Sequence, residues 1–259
     1  MRKYFLFLTL LLGILLPSAA ESSFKLDFTI DSILLGTSAA VMSTSLLVEP
    51  APAVQEPAAE INPLDIALMF PYSENLDDFG TIAASAMLVL PGVAAIGKIE
   101  ETDSLLTYAV MYTEAFLLTY GTKDLIKDLA PRARPWSYSS LPGPDDAAEK
   151  QYQSFPSGHT SFAFLGASIL TAVLVNDYGD ELWTPYVSAA SYTLAAVIAG
   201  MRVASGEHFL TDVIAGAAVG SFFGWVIPIL HLNNRQAEES EGLPVVALSS
   251  NSIGLKISY

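Results

Sequence analysis

Five apolar runs separated by polar loops constrain this chain more than any other feature. They are Gly80–Gly97, Leu105–Tyr120, Ser161–Val175, Tyr186–Ala204 and Leu210–Leu232. A helix needs about 20 apolar residues to cross a bilayer. Several runs fall short of that, so their helices are expected to continue into the flanking polar residues. Gly, Ala and Ser recur along them, a composition that lets helix backbones approach closely in lipid. With 52% hydrophobic and 15% charged residues, the chain is expected to be all-α, a membrane-embedded bundle of about five to six helices. Pro91 is expected to kink the first run.

The ends read differently. Met1–Ala20 carries Arg2 and Lys3, an apolar stretch and small residues at Ser18 and Ala20, the pattern of a secretory signal; an uncleaved anchor is the alternative. Either way the chain is expected in a bacterial cell membrane. Phe24–Ile30 alternates apolar and polar residues and reads as a short strand. Ser32–Val48 is apolar but interrupted by Ser, Thr and Gly, either a weak span or a helix lying against the bundle. Residues 49–63 are rich in Pro, Ala and Glu, as linkers are. Residues 233–259 form a polar tail in which Val245–Tyr259 alternates about a turn at Asn251–Ser252, the pattern of a hairpin. The expected division is a signal at 1–20, an N-terminal segment at 21–62, the helical domain at 63–232 and the tail. The net charge of −15 argues against a nucleic-acid partner. The absence of Cys excludes disulfides and thiol chemistry.

Three polar stretches interrupt the apolar pattern. Ser154–Thr160 reads S-F-P-S-G-H-T and leads into an apolar run. It is a helix start: Pro156 and Ser157 suit the first turn and cap, and Gly158 permits close approach of a ligand. Free N–H groups and the helix dipole make such a start an anion site, with His159 beside it. Upstream, Lys127 is followed after six residues by Arg134-Pro135; downstream, Arg202 is followed by His208 and Asp212. If the four helices around these stretches alternate through the membrane, all three reach the same face. Lys127, Arg134 and Arg202 would supply positive charge to a phosphoryl group, and Ser157 with the Gly158 N–H would complete the cradle.

Lys-x6-Arg-Pro, Pro-Ser-Gly-His and Arg-x5-His-x3-Asp, in this order, resemble the signature of the type 2 phosphatidic acid phosphatase superfamily, over about Pro63 to His231. One departure is Met201, where that family usually has Ser before the arginine, which removes a supporting hydrogen bond. The resemblance implies a phosphatase acting on a lipid phosphate or pyrophosphate monoester. It implies that His208 attacks phosphorus to form a phosphohistidine, that Asp212 orients His208, and that His159 protonates the leaving group and then activates water. No cofactor or metal is called for, because the three cations take the electrostatic role and no carboxylate cluster shows ligand spacing along the chain. Two alternatives are a vanadate-dependent haloperoxidase-like enzyme, disfavoured by the apolar helices, and a non-enzymatic membrane protein with a vestigial site.

The other polar residues have plainer readings. Arg132 reads as a topology anchor, His231, Tyr120 and Trp136 as interfacial residues, Glu207 as solvent-facing, and Asp145–Asp146 as a solvated turn. A site facing the periplasm is expected if Ser32–Val48 does not span; if it does, the site of an exported chain faces the cytoplasm.

Overall fold

The structure is a computed structural model that describes residues 22–55, 57–96, 102–145, 147–179 and 181–233, with the backbone of 245–249 and 252–256. The expected signal at 1–20 lies outside these residues. Six long helices form the bundle: α1 (Phe28–Leu47), α3 (Glu74–Ile96), α4 (Thr102–Leu129), α6 (Gly158–Asp177), α7 (Thr184–Ala204) and α8 (Leu210–His231). Two short helices, α2 (Pro63–Ala67) and α5 (Ala147–Lys150), lie in the connections. All the long helices except α4 are long and apolar enough to cross a membrane. The protein is an all-α membrane bundle, with one antiparallel hairpin in its tail, β1 (Val245–Ser249) and β2 (Ser252–Lys256).

The N-terminal strand expected at Phe24–Ile30 is not formed. Only Phe24 makes a bridge, to Leu232. Asp27 then accepts the N–H groups of Thr29 and Ile30 at 2.9 and 3.0 Å and starts α1, because an aspartate at an N-cap outweighs a brief alternation. Nor do the polar residues of α1 break it. The Ser38 and Thr44 hydroxyls donate to the carbonyls of Leu34 and Ala40, one turn back, so they carry no unmet hydrogen bond into lipid.

The helices extend beyond the apolar runs. α3 begins at Glu74, runs through Pro91 and ends at Ile96, while α4 continues past Tyr120 to Leu129. α4 links the two faces of the bundle. Tyr108, near its start, bonds Asp177 at the end of α6, whereas Lys127, in its last turn, reaches the carbonyl of Gln153 just before α6 begins. With α4 crossing, both ends of the bundle lie on one face and the three motifs on the other.

The middle of the bundle is α6. Leu165, Ala167, Ile169 and Val173 are almost fully buried against α3, α7 and α8. Its seam with α8 is built from small residues. A Cβ on Gly216 would stand 2.5 Å from the Ser157 carbonyl oxygen, and one on Gly220 would stand 2.0 Å from that of Ser161. Glycine at four-residue spacing therefore lets the two backbones touch where α6 begins.

Candidate active site

The site lies where α6 and α8 both start. Ser157 is the residue before α6; its N–H donates to the carbonyl of Asp212 at 3.0 Å, and its hydroxyl accepts from Thr160 at 3.0 Å. Gly158 opens the helix, with the Lys123 side chain so close that a Cβ there would meet its Cδ at 3.3 Å. His159 Nε2 is 3.2 Å from the Thr81 hydroxyl of α3.

The stretch between α7 and α8 carries His208. Gly206 turns the chain with φ of 73°, and a Cβ there would stand 2.6 Å from the carbonyl oxygens of Phe70 and Pro71, so no larger residue fits without moving that backbone. The buried ring of His208 donates from Nδ1 to the carbonyl of Ser154 at 2.7 Å. A carbonyl only accepts, so Nδ1 carries the hydrogen and Nε2 the lone pair. Burial lowers the His208 pKa well below the usual imidazole value; Arg134 and Arg202 push the same way, against Asp212. The ring is therefore neutral near pH 7.

Asp212 makes a different contact from the one expected. Its Oδ2 stands 3.8 Å from His208 Nδ1, too long for a hydrogen bond. Instead Oδ2 accepts from the Ser154 hydroxyl at 2.6 Å and the Phe209 N–H at 2.8 Å. Asp212 thus fixes the backbone just after His208 and holds Ser154, whose carbonyl takes the ring hydrogen. Its other oxygen is gripped by Arg132 at 2.6 Å.

Arg132 is therefore no topology anchor. Its guanidinium bridges Asp212 and the buried Asp65 of α2, the latter at 2.7 Å, donates to Thr211 and lies over the Phe209 ring at 4.2 Å. Burial alone would raise the Asp65 pKa, but bonds from Thr211 and Arg132 outweigh it, and the net shift is downward. Asp65 is an anion at neutral pH.

The other cations converge from three elements. Lys127 and Arg134 both donate to the Gln153 carbonyl, at 3.1 and 3.3 Å. Arg134 and Arg202 meet on the carboxylate of Glu207, which also accepts from the Trp136 indole at 3.1 Å. Glu207 is thus buried between two arginines rather than facing solvent, and Trp136 is buried rather than interfacial. Arg202 also pairs with Asp77 of α3. Its Nε is buried and has no acceptor among the described residues.

All eight residues expected from the sequence (Lys127, Arg134, Ser157, Gly158, His159, Arg202, His208 and Asp212) belong to this one face. Sequence reading missed Lys123, Thr81, Asp77, Asp65 and Ser154 and misplaced Arg132, Glu207 and Trp136. Lys123 alone carried a local signal, one helical turn before Lys127. His231 was also misread: it is 1% exposed, on the opposite face, beside Asp31 and Glu114. Those carboxylates are too far apart along the chain to show as a cluster. Asp145 is exposed, in keeping with a solvated turn.

The chain belongs to the PAP2 superfamily, whose family description matches residues 108–236. It is 37% identical over 121 residues to the lipid A 1-phosphatase of Porphyromonas gingivalis, covering 42% of this chain and 25% of that protein. It is 30% identical over 128 residues to a probable diacylglycerol pyrophosphate phosphatase 1 of Schizosaccharomyces pombe, covering 44% of this chain and 46% of that one. The chain spans about half the length of the curated relatives it matches, or less. Among solved structures, LpxE of Aquifex aeolicus is similar over 66% of this chain and 98% of its own, with a TM-score of 0.46 and 22% identity.

Proposed function

We propose that this protein is a membrane phosphatase that hydrolyses a lipid phosphate or pyrophosphate monoester through a phosphohistidine on His208. The observation that carries the reading is the neutral His208, its Nδ1 hydrogen held by the Ser154 carbonyl and its Nε2 lone pair free to attack. Phosphorus passes from the substrate oxygen to Nε2, and the leaving oxygen takes a proton from His159. His159 then removes a proton from water, which displaces phosphate from His208. Lys127, Arg134 and Arg202 neutralise the equatorial oxygens, and the buried Arg202 Nε suits one of them. Asp212 acts as a positioning residue. Two features favour a lipid over a soluble ester: the relatives' names, lipid A 1-phosphatase and diacylglycerol pyrophosphate phosphatase, and the outer face of α3. There Phe79 and Ile82 are exposed beside Asp77 and Thr81, so a lipid could reach the site sideways from the bilayer.

The test is phosphate release from phosphatidate, diacylglycerol pyrophosphate and lipid A in detergent micelles. Wild type should release phosphate, resist EDTA and yield to vanadate. His208→Ala should lose turnover together with an acid-labile phosphoenzyme. Failure of wild type on every lipid, or a labelled intermediate persisting in His208→Ala, overturns the reading.

For sidedness, α1 is long and apolar enough to cross, so the stretch Ser32–Val48 counts as a span. With six crossing helices a cleaved, exported N-terminus and a periplasmic site exclude one another. We place the site on the periplasmic face on charge instead. Setting aside the cations that the site itself gathers, Lys25 lies on the far face, and Lys98 and Arg235 follow the ends of α3 and α8 in the sequence, a slight bias that the positive-inside rule assigns to the cytoplasm. Single cysteines at Leu141 or Ser139 should react with a membrane-impermeant thiol reagent once the outer envelope alone is permeable. Labelling only after the inner membrane opens refutes this orientation.

A further inference from the structure

On the face opposite the active site, three polar side chains from distant parts of the chain converge inside the bundle. Asp31 comes from the first turn of α1, Glu114 from the middle of α4 and His231 from the end of α8. His231 Nδ1 is 2.8 Å from the Ile227 carbonyl. The carbonyl only accepts, so Nδ1 carries a hydrogen and a neutral ring directs its Nε2 lone pair the other way. That nitrogen is 3.0 Å from Asp31 Oδ1 and 3.4 Å from Glu114 Oε2. Neither approach is aligned as a hydrogen bond. His231 Nε2, Asp31 Oδ1 and both Glu114 oxygens are buried without a hydrogen-bond partner among the described residues. Glu114 is 0% exposed.

Such a group is costly unless something positive sits in it. Two carboxylates bring two negative charges, and neither has a Lys or Arg partner among the described residues. An imidazolium supplies one positive charge and a single Nε2–H, which cannot point along both contacts. A divalent cation balances the pair and uses all three lone pairs at once. The two Nε2 distances fit: metal–ligand bonds of about 2.0–2.2 Å separate neighbouring ligand atoms by about 3.0–3.5 Å. All three donor atoms lie within 4.8 Å of one another. The bond from Nδ1–H to a backbone carbonyl is also how metal-ligating histidines are commonly oriented.

We propose that Asp31, Glu114 and His231 bind a divalent transition-metal cation of the Zn2+ or Mn2+ kind, which one imidazole and two carboxylates suit. Water completes the coordination, entering past Asp31, whose side chain is 13% exposed. The ion pins α1 to α4 and α8. It is structural, and the phosphatase chemistry proposed above does not pass through it.

The experiment uses the full chain in detergent, stripped with EDTA and then titrated with Zn2+, with Co2+ as the spectroscopic probe. Wild type should take up one ion per chain, show the visible bands of Co2+ held by nitrogen and oxygen, and gain several degrees in Tm with Zn2+. His208→Gln should keep both signals, which separates this site from the active site. Glu114→Gln should lose both, and so should Asp31→Asn, the milder change if Glu114→Gln does not fold. No bands and no Tm gain in wild type overturn the proposal, because protons then neutralise the cluster. Signals retained in Asp31→Asn or Glu114→Gln, or lost in His208→Gln, overturn it as well.

Discussion

Glu207 offers the sharpest test of how the anion site is held. Its carboxylate takes Arg134 and Arg202 together, with Trp136 on its other oxygen. A phosphate that enters this cradle meets a negative charge already there. At about 5 Å and an effective dielectric of about 20, each unit of phosphate charge is repelled by about 3 kcal/mol. Glu207→Gln keeps the shape and removes that repulsion. It also weakens charge-assisted bonds to the arginines, worth about 1.5–3 kcal/mol each, and part of that loss appears as looser positioning of the cations. Relief of repulsion is the larger effect on binding a doubly charged ligand; loss of bonds is the larger effect on folding.

Two opposite signs are therefore expected in one variant. Glu207→Gln should bind vanadate at least about 10-fold more tightly, equivalent to about 1.4 kcal/mol, while its Tm falls. Vanadate inhibition of phosphate release and a melting curve in the same detergent measure both. If Glu207 instead serves mainly to aim the two arginines, vanadate binding weakens. An unchanged or raised inhibition constant refutes the reasoning.

Arg132→Met should destabilise the fold by about 3 kcal/mol and lower kcat more than it raises KM, because breaking a buried ion pair strands the partner charge, here two carboxylates at once. Asp65→Asn should cost less, and the double variant less than the sum; strict additivity in melting curves counts against a shared network. Gly220→Val should abolish folding or lower Tm steeply, since even a Cβ there stands 2.0 Å from the Ser161 carbonyl oxygen. Gly200→Ala, with no atom of the described residues within 4 Å of the added one, should melt like wild type, and equal behaviour of these two variants would refute the seam.

The parts of the structure legible in the sequence are those written locally. Apolar runs and the start signal at Pro156–Gly158 depend on neighbours along the chain, and so does the hairpin alternation near the C-terminus. What escaped depends on partners far away. The continuation of α4 past Tyr120 is expected, but not what its charges meet: Lys127 reaches the Gln153 carbonyl, and Lys123 lies against Gly158. Arg132 acquires its meaning only from Asp65 and Asp212, and Glu207 only from two arginines on other elements. Nothing at positions 132 or 207 distinguishes them from surface charges until the bundle has closed. His231 is the same case on the other face.

The motif around Ser157 and the glycines of α8 are one feature seen from two directions. Gly216 lets the Ser157 backbone approach so closely that the Ser157 N–H finds the Asp212 carbonyl. That bond joins the first turns of α6 and α8. It sets Ser154 beside Asp212 and leaves the Ser154 carbonyl free for His208 Nδ1. The choice of which imidazole nitrogen carries the lone pair is thus made by helix packing two turns away from the ring. A larger residue at Gly216 would part the helices first and disturb the histidine as a consequence. Small residues in a membrane bundle are usually assigned to packing alone; here the same spacing aims the His208 ring.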